Sequence, residues 1–231
     1  MQAARGQSVL AWASVIRLIC SIHAAMPNRL PNDGVHMDEE HLVADEDRSR
    51  YAAQMERIKL RIDEAQRVAC ELGDERGLIY AAAQLRLAIE EIAFASLVGN
   101  RKAMEEAERS LALNGWDKAI KSLRTVNPEY WPRGVIEIRG ETNEWIDVTD
   151  GLFESDVART WGRLSQLLHA RNPWRGVPDL KSEGEFMMSL IGQLRTTLNA
   201  HFITLAGDRQ KLFCQVGSQP VRVYLFARVD E

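Results

Sequence analysis

Cysteine is scarce in this chain: Cys20, Cys70 and Cys214 are its three, widely separated and without a Cys-x-x-Cys pair. An odd, scattered set forms neither a zinc knuckle, a redox dithiol nor a disulfide framework, so a reduced, cytoplasmic chain is the expectation. Long apolar runs are also lacking. The best, Ser8 to Ala25, is interrupted by Arg17 and His23 and falls short of the roughly 20 uninterrupted apolar residues a spanning helix needs. The same run follows Arg5 in the manner of a weak signal peptide, against which the internal Arg17 counts. No partnership with a membrane is expected. Positive charge is not in excess either: Lys and Arg total 29 against 33 Asp and Glu, a net charge of -4. A polybasic, histone-like role is thereby excluded, and any contact with nucleic acid must come from a local basic surface. Missing too are His-Glu-x-x-His, Gly-x-Ser-x-Gly, a P-loop and a dinucleotide fingerprint, so no cofactor and no metal are expected.

What is present is the composition of an ordinary globular chain, 45% hydrophobic and 27% charged, long enough for one sizeable core. Residues 1–46 read as a poorly ordered leader. Pro27, Pro31 and Gly34 close its first part, Met37 offers an alternative start, and an acidic stretch follows from Asp38 to Asp47. From Arg48 the pattern becomes helical: Tyr51, Met55, Ile58, Ile62, Ala65, Ala69 and Leu72 recur in alternating steps of four and three, a heptad seam ended by Gly73. The next helix, Leu78 to Val98, carries Leu78, Leu85, Ile89 and Ile92 on one face. Tyr80, Leu87, Phe94 and Val98 occupy the other, as in a helix central to a bundle. Its Arg86 and Glu90 stand at ion-pair spacing. Helices are then expected from Lys102 to Leu113 and from Trp116 to about Val126, closed by Asn127-Pro128.

Between Gly134 and Val148 the period drops to two, in Val135–Ile138 and Trp145–Val148, which predicts a small β-hairpin insertion. A helix from about Glu154 to His169 or Arg171 follows, then one from about Glu183 to Leu205 with Phe186, Ile191, Leu194, Leu198 and Phe202 turned to the core. Lys211 to Val216 and Val221 to Val229 predict a C-terminal β-hairpin. The fold class is therefore mainly α: a helical bundle with a β-hairpin insertion and a C-terminal β-hairpin. Residues 47–206 form the helical domain, with 207–231 packed on it.

Chemistry concentrates between Ala158 and Pro173. At about 100° per residue, Val157, Trp161, Leu164 and Leu168 gather on one side of their helix, with Leu167 at the border. Arg159, Arg163, Gln166 and His169 fall on the remaining arc. Arginine is a permanently charged, forked donor for phosphate, and histidine is the side chain whose proton moves near neutral pH. The stretch from Val157 to Pro178 contains no acid while holding Arg159, Arg163, Arg171 and Arg175, a positive patch on an acidic molecule. Trp174 beside Arg175 is suited to stacking on a base of single-stranded RNA. Against this stands a plainer reading, in which these arginines pair with acids elsewhere and Trp174 plugs the end of the bundle. His201 reads as a satisfied core histidine in preference to a second proton carrier, and Cys214 as a small core residue.

Arg163-Leu-Ser-Gln-Leu-Leu-His169 resembles the motif of the HEPN superfamily, an arginine followed after four to six residues by a histidine. The segment Leu85-Arg-Leu-Ala-Ile-Glu-Glu-Ile92 is similar to the helix that often precedes that motif. The resemblance spans about Arg48 to Leu205. It implies a metal-independent endoribonuclease, of the kind found in toxins and phage-defence effectors, acting as a homodimer on RNA, with an antitoxin protein as a further partner. On this basis Arg163 and His169 are the expected catalytic residues. Arg159, Gln166, Arg171, Asn172 and Trp174 would contact the substrate, and Arg86 and Glu90 would support them. One departure is plain: catalytic members commonly place Asn, Asp or His directly after the motif arginine, and here that residue is Leu164. A second expectation therefore stands beside the first, a non-catalytic helical module that binds a nucleotide, RNA or a protein through the same surface.

Overall fold

A computed structural model of the chain describes residues 45–72, 74–138, 144–169, 179–206 and 211–226. The expected leader lies outside this range except for its last two positions, Asp45 and Glu46, which open the first helix. Among the described residues the fold is mainly helical, with six helices and a small antiparallel sheet.

Helix α1, Asp45–Leu72, starts with Asp45, Glu46 and Asp47 in its first turn, where carboxylates oppose the positive end of the helix dipole. Its heptad seam is buried as its spacing requires: Tyr51, Met55, Ile58, Ile62 and Ala65 are all at most 2% exposed. They pack chiefly on α2, Glu75–Ala95. Asp74 caps α2 by accepting the Gly77 amide at 2.8 Å, which satisfies one of the donors a helix start leaves open. The Leu78, Leu85, Ile89 and Ile92 face of α2 is fully interior. Its second face is only partly covered: Phe94 is buried, whereas Tyr80 and Leu87 are exposed to solvent, so α2 is central at its C-terminal end and superficial at its start.

Helices α3, Arg101–Asn114, and α4, Trp116–Val126, make a hairpin. Gly115 joins them with a φ of 79°, a left-handed backbone conformation that glycine adopts at little steric cost. After the strands β1, Arg133–Ile138, and β2, Glu144–Asp147, come α5, Glu154–Leu168, and α6, Leu180–Asn199.

The helix expected to continue to Leu205 instead ends at Asn199, and His201–Thr204 forms strand β3. Helical periodicity leads into His-Phe-Ile-Thr, but the aromatic and β-branched residues there fit a pleated surface, and pairing is available on both sides. Strand β3 bonds to β1 at Gly134↔His201 and Arg133↔Phe202, and to β4, Lys211–Gln215, along its whole length. With β5, Arg222–Phe226, the two expected hairpins thus merge into one five-stranded antiparallel sheet in the order β2-β1-β3-β4-β5. Ile203, Leu212 and Cys214 enter the core. Phe202, expected in that core, lies on the opposite face, where Phe202, Phe213 and Phe226 pack with Trp145 from the first hairpin.

Tyr51 and His201 fasten the sheet to α1. The Tyr51 hydroxyl lies 2.7 Å from His201 Nε2, and His201 Nδ1 lies 2.9 Å from the Leu198 carbonyl oxygen. Since a carbonyl only accepts, Nδ1 carries the proton and Nε2 accepts from the tyrosine. Both rings are completely buried. Burial holds the imidazole far below its ordinary range, at about 4, and pushes the Tyr51 hydroxyl and Cys214 thiol upward. His201 is a neutral core residue.

Candidate functional site

Helix α5 is placed by two sets of contacts. Val157 and Leu164 are buried in the main core, each contributing of the order of 2 kcal/mol by removal from water. The second set is polar and aromatic. Trp161 donates its indole N–H to Glu90 at 2.8 Å and stacks on Trp116 with ring centroids 5.1 Å apart and nearly parallel. Arg86 lies over the Trp161 ring at 4.4 Å and donates to Glu90 at 3.0 Å. The Arg86–Glu90 pair expected from spacing therefore exists, and it holds α5 on α2 through Trp161. At the start of α5, Glu154 accepts from Arg124 and from the Tyr130 hydroxyl.

The outward residues follow from this seating. Arg159 is 81% exposed and pairs with Asp156 one turn earlier. Gln166 is exposed. Arg163 occupies the flank facing α6, where its Nε and Nη2 donate to the two carboxylate oxygens of Glu183, both at 3.1 Å. Its guanidinium carbon lies 3.9 Å from the centre of the Phe186 ring, a cation–π contact. The arginine side chain retains 40% of its exposure and the glutamate 19%, so the cation is the outer member of the pair.

His169 is exposed but is not on the helix. The last helical residue is Leu168, and His169 is the C-cap, with extended backbone at φ -85° and ψ 150°. Its ring direction is set by that extended residue and not by the helical wheel used to place it. Arg171, Asn172 and Trp174 lie outside the described residues. Leu164, which replaces the usual polar residue of the resembled motif, is completely buried. The two described arginines of the acid-free stretch are both paired: Asp156 and Glu183 stand on either side of it in sequence and take up Arg159 and Arg163.

Glu183, Phe186 and Trp116 are the contributors that sequence reasoning did not connect to this surface. Phe186 reads as core from its period, and nothing in the spacing ties position 183 to position 163 across two helices. Among the described residues no helix is long and apolar enough to cross a membrane. No family model, curated protein or solved structure matches the chain.

Proposed function

We propose that the α5 surface is the working site of a metal-independent endoribonuclease of HEPN type, with Arg163 and His169 as its catalytic pair. The observation that carries this reading is the placement of a half-exposed Arg163 and an exposed His169 in the C-terminal half of α5 and at its cap, on a helix whose other face is locked into the core. Two protomers would present these surfaces to one another and share a composite cleft. Arg163 would neutralise the scissile phosphate, with Arg159 and Gln166 along the backbone and Arg171, Asn172 and Trp174 from the sequence that follows. The RNA 2′-hydroxyl would attack the adjacent phosphorus. The new P–O2′ bond forms as the P–O5′ bond breaks, leaving a cyclic phosphate and a 5′-hydroxyl. The His169 of one chain would take the proton from O2′ while that of the second copy delivers one to O5′. DNA, lacking that hydroxyl, would be spared. A toxin or phage-defence role, with an antitoxin as partner, accompanies this reading.

Leu164 favours a second reading. A buried leucine beside the motif arginine supplies no polar contact to a reacting phosphate, which suits a module that binds RNA without cutting it. One experiment separates the two. Purified protein is incubated with total RNA in excess chelator beside Arg163→Ala and His169→Ala. The nuclease reading expects cutting by the parent chain and a loss of about 100-fold or more in each variant. Retention of RNA without cutting supports the module, and cutting that survives both substitutions overturns the assignment.

A further inference from the structure

We propose that Glu183 is an internal competitor for the anion that Arg163 binds, setting the affinity of the site for phosphate. This inference rests on the reading of Arg163 as the phosphate-holding group and concerns what stands in its way. A guanidinium offers five N–H donors and meets two oxygens of a phosphate or carboxylate at once either across its Nη1/Nη2 end or along its Nε/Nη2 edge. In this fold that edge is taken, since both Glu183 oxygens lie on it at 3.1 Å. The guanidinium carbon also sits over the Phe186 ring, 3.9 Å from its centre. What remains is the Nη1/Nη2 end, on the more exposed member of the pair.

An incoming phosphodiester therefore either displaces the carboxylate from the Nε/Nη2 edge or binds at the Nη1/Nη2 end with a negative charge a few ångströms behind the cation. Both routes oppose binding by charge. At effective dielectrics between about 40 and 80, a carboxylate about 5 Å from a phosphate weakens binding by roughly 4-fold to 16-fold. Glutamine at 183 keeps the shape and a hydrogen-bond acceptor while removing the charge. If Glu183 instead only steadied Arg163, losing its charge would weaken binding, so the two roles differ in sign.

The test uses the full chain carrying His169→Ala, so that bound RNA is not cut, and a fluorescently labelled single-stranded RNA oligonucleotide followed by anisotropy at low salt. Adding Glu183→Gln is expected to tighten binding about 5-fold to 10-fold, with the gain shrinking as salt screens the carboxylate. Glu183→Ala is expected to tighten it as well, and Glu71→Gln, which removes a carboxylate paired with Arg67 on α1, to leave it unchanged. In an Arg163→Ala background the Glu183→Gln gain should vanish. Unchanged or weaker binding in Glu183→Gln overturns the proposal, as does an equal gain from Glu71→Gln. If Arg163→Ala weakens binding while Glu183→Gln does not strengthen it, only the competitor role is lost. If Arg163→Ala leaves affinity intact, or no variant binds RNA, the reading of Arg163 fails with it.

Discussion

Leu164 carries the tension between packing and chemistry in a single side chain. It follows the motif arginine directly, where a polar group would be chemically useful, yet its place on α5 is fully enclosed by the core. The helical wheel forces this: Val157, Leu164 and Leu168 share a face, and Arg163, one residue before Leu164, is turned about 100° toward α6. Introducing the polar residue of the resembled motif by Leu164→Asn removes a buried aliphatic side chain and leaves an amide without assured partners. The expected loss of unfolding free energy is about 2–4 kcal/mol, measurable by urea denaturation. A loss below about 1 kcal/mol would mean that this position can open to admit a polar group, and the argument from burial to lost chemistry would fail.

At the scale of elements, the bond between Tyr51 of α1 and His201 of β3 predicts how the fold responds to acid. The folded chain holds His201 at about 4 against an ordinary 6.5, so the native state binds fewer protons than the unfolded state between those values. Its contribution is complete above 6.5, declines as pH falls through the interval, and is lost by about 4. The shift corresponds to roughly 3 kcal/mol. Urea midpoints measured from pH 7 to pH 4 should fall, and Tyr51→Phe, which removes the hydrogen bond but leaves the ring buried, should lower stability without abolishing that slope. A flat profile across the interval would show that His201 is not desolvated as described.

The same elements mark how far sequence can be read. The α1 seam and the inward face of α5 were legible because apolar residues at helical spacing must be buried. Strand β3 was not. Its four residues continue a helical pattern, and what decides them is pairing with β4 along their whole length and, for His201 and Phe202, with Gly134 and Arg133, far away in the chain. Tyr80 and Leu87 illustrate the complementary limit: periodicity identifies faces of a helix but not which face a neighbour covers. For the site, Arg159, Arg163 and Gln166 could be placed outward from their spacing. His169 was displaced from its expected position by one residue of helix termination. Glu183 had no local signal, since an ion pair between helices depends on their packing.

For the whole molecule, the functional reading requires a second copy, because a cleft lined by Arg163 and His169 from both chains exists only in a dimer. Mixing makes this measurable. If activity belongs to a two-fold assembly, a large excess of His169→Ala chains drives nearly every parent chain into a mixed dimer in which one imidazole is absent. Cutting per parent chain should then fall steeply as the excess grows. Diluting the parent alone below its dissociation constant should lower its specific activity in parallel with the dimer fraction seen by sedimentation. A chain that cuts as a monomer gives the opposite result in both experiments: dilution leaves specific activity constant, and inactive chains matter only by competing for RNA. That competition is separated from heterodimer formation with an Arg163→Ala, His169→Ala double variant. The double variant lacks the proposed phosphate-holding group but keeps the rest of the α5 surface, and on this reading it should poison the dimer while scarcely competing for substrate. Loss of activity in that mixture is the outcome the shared cleft requires; unchanged activity per parent chain would remove the dimer, and with it the composite site.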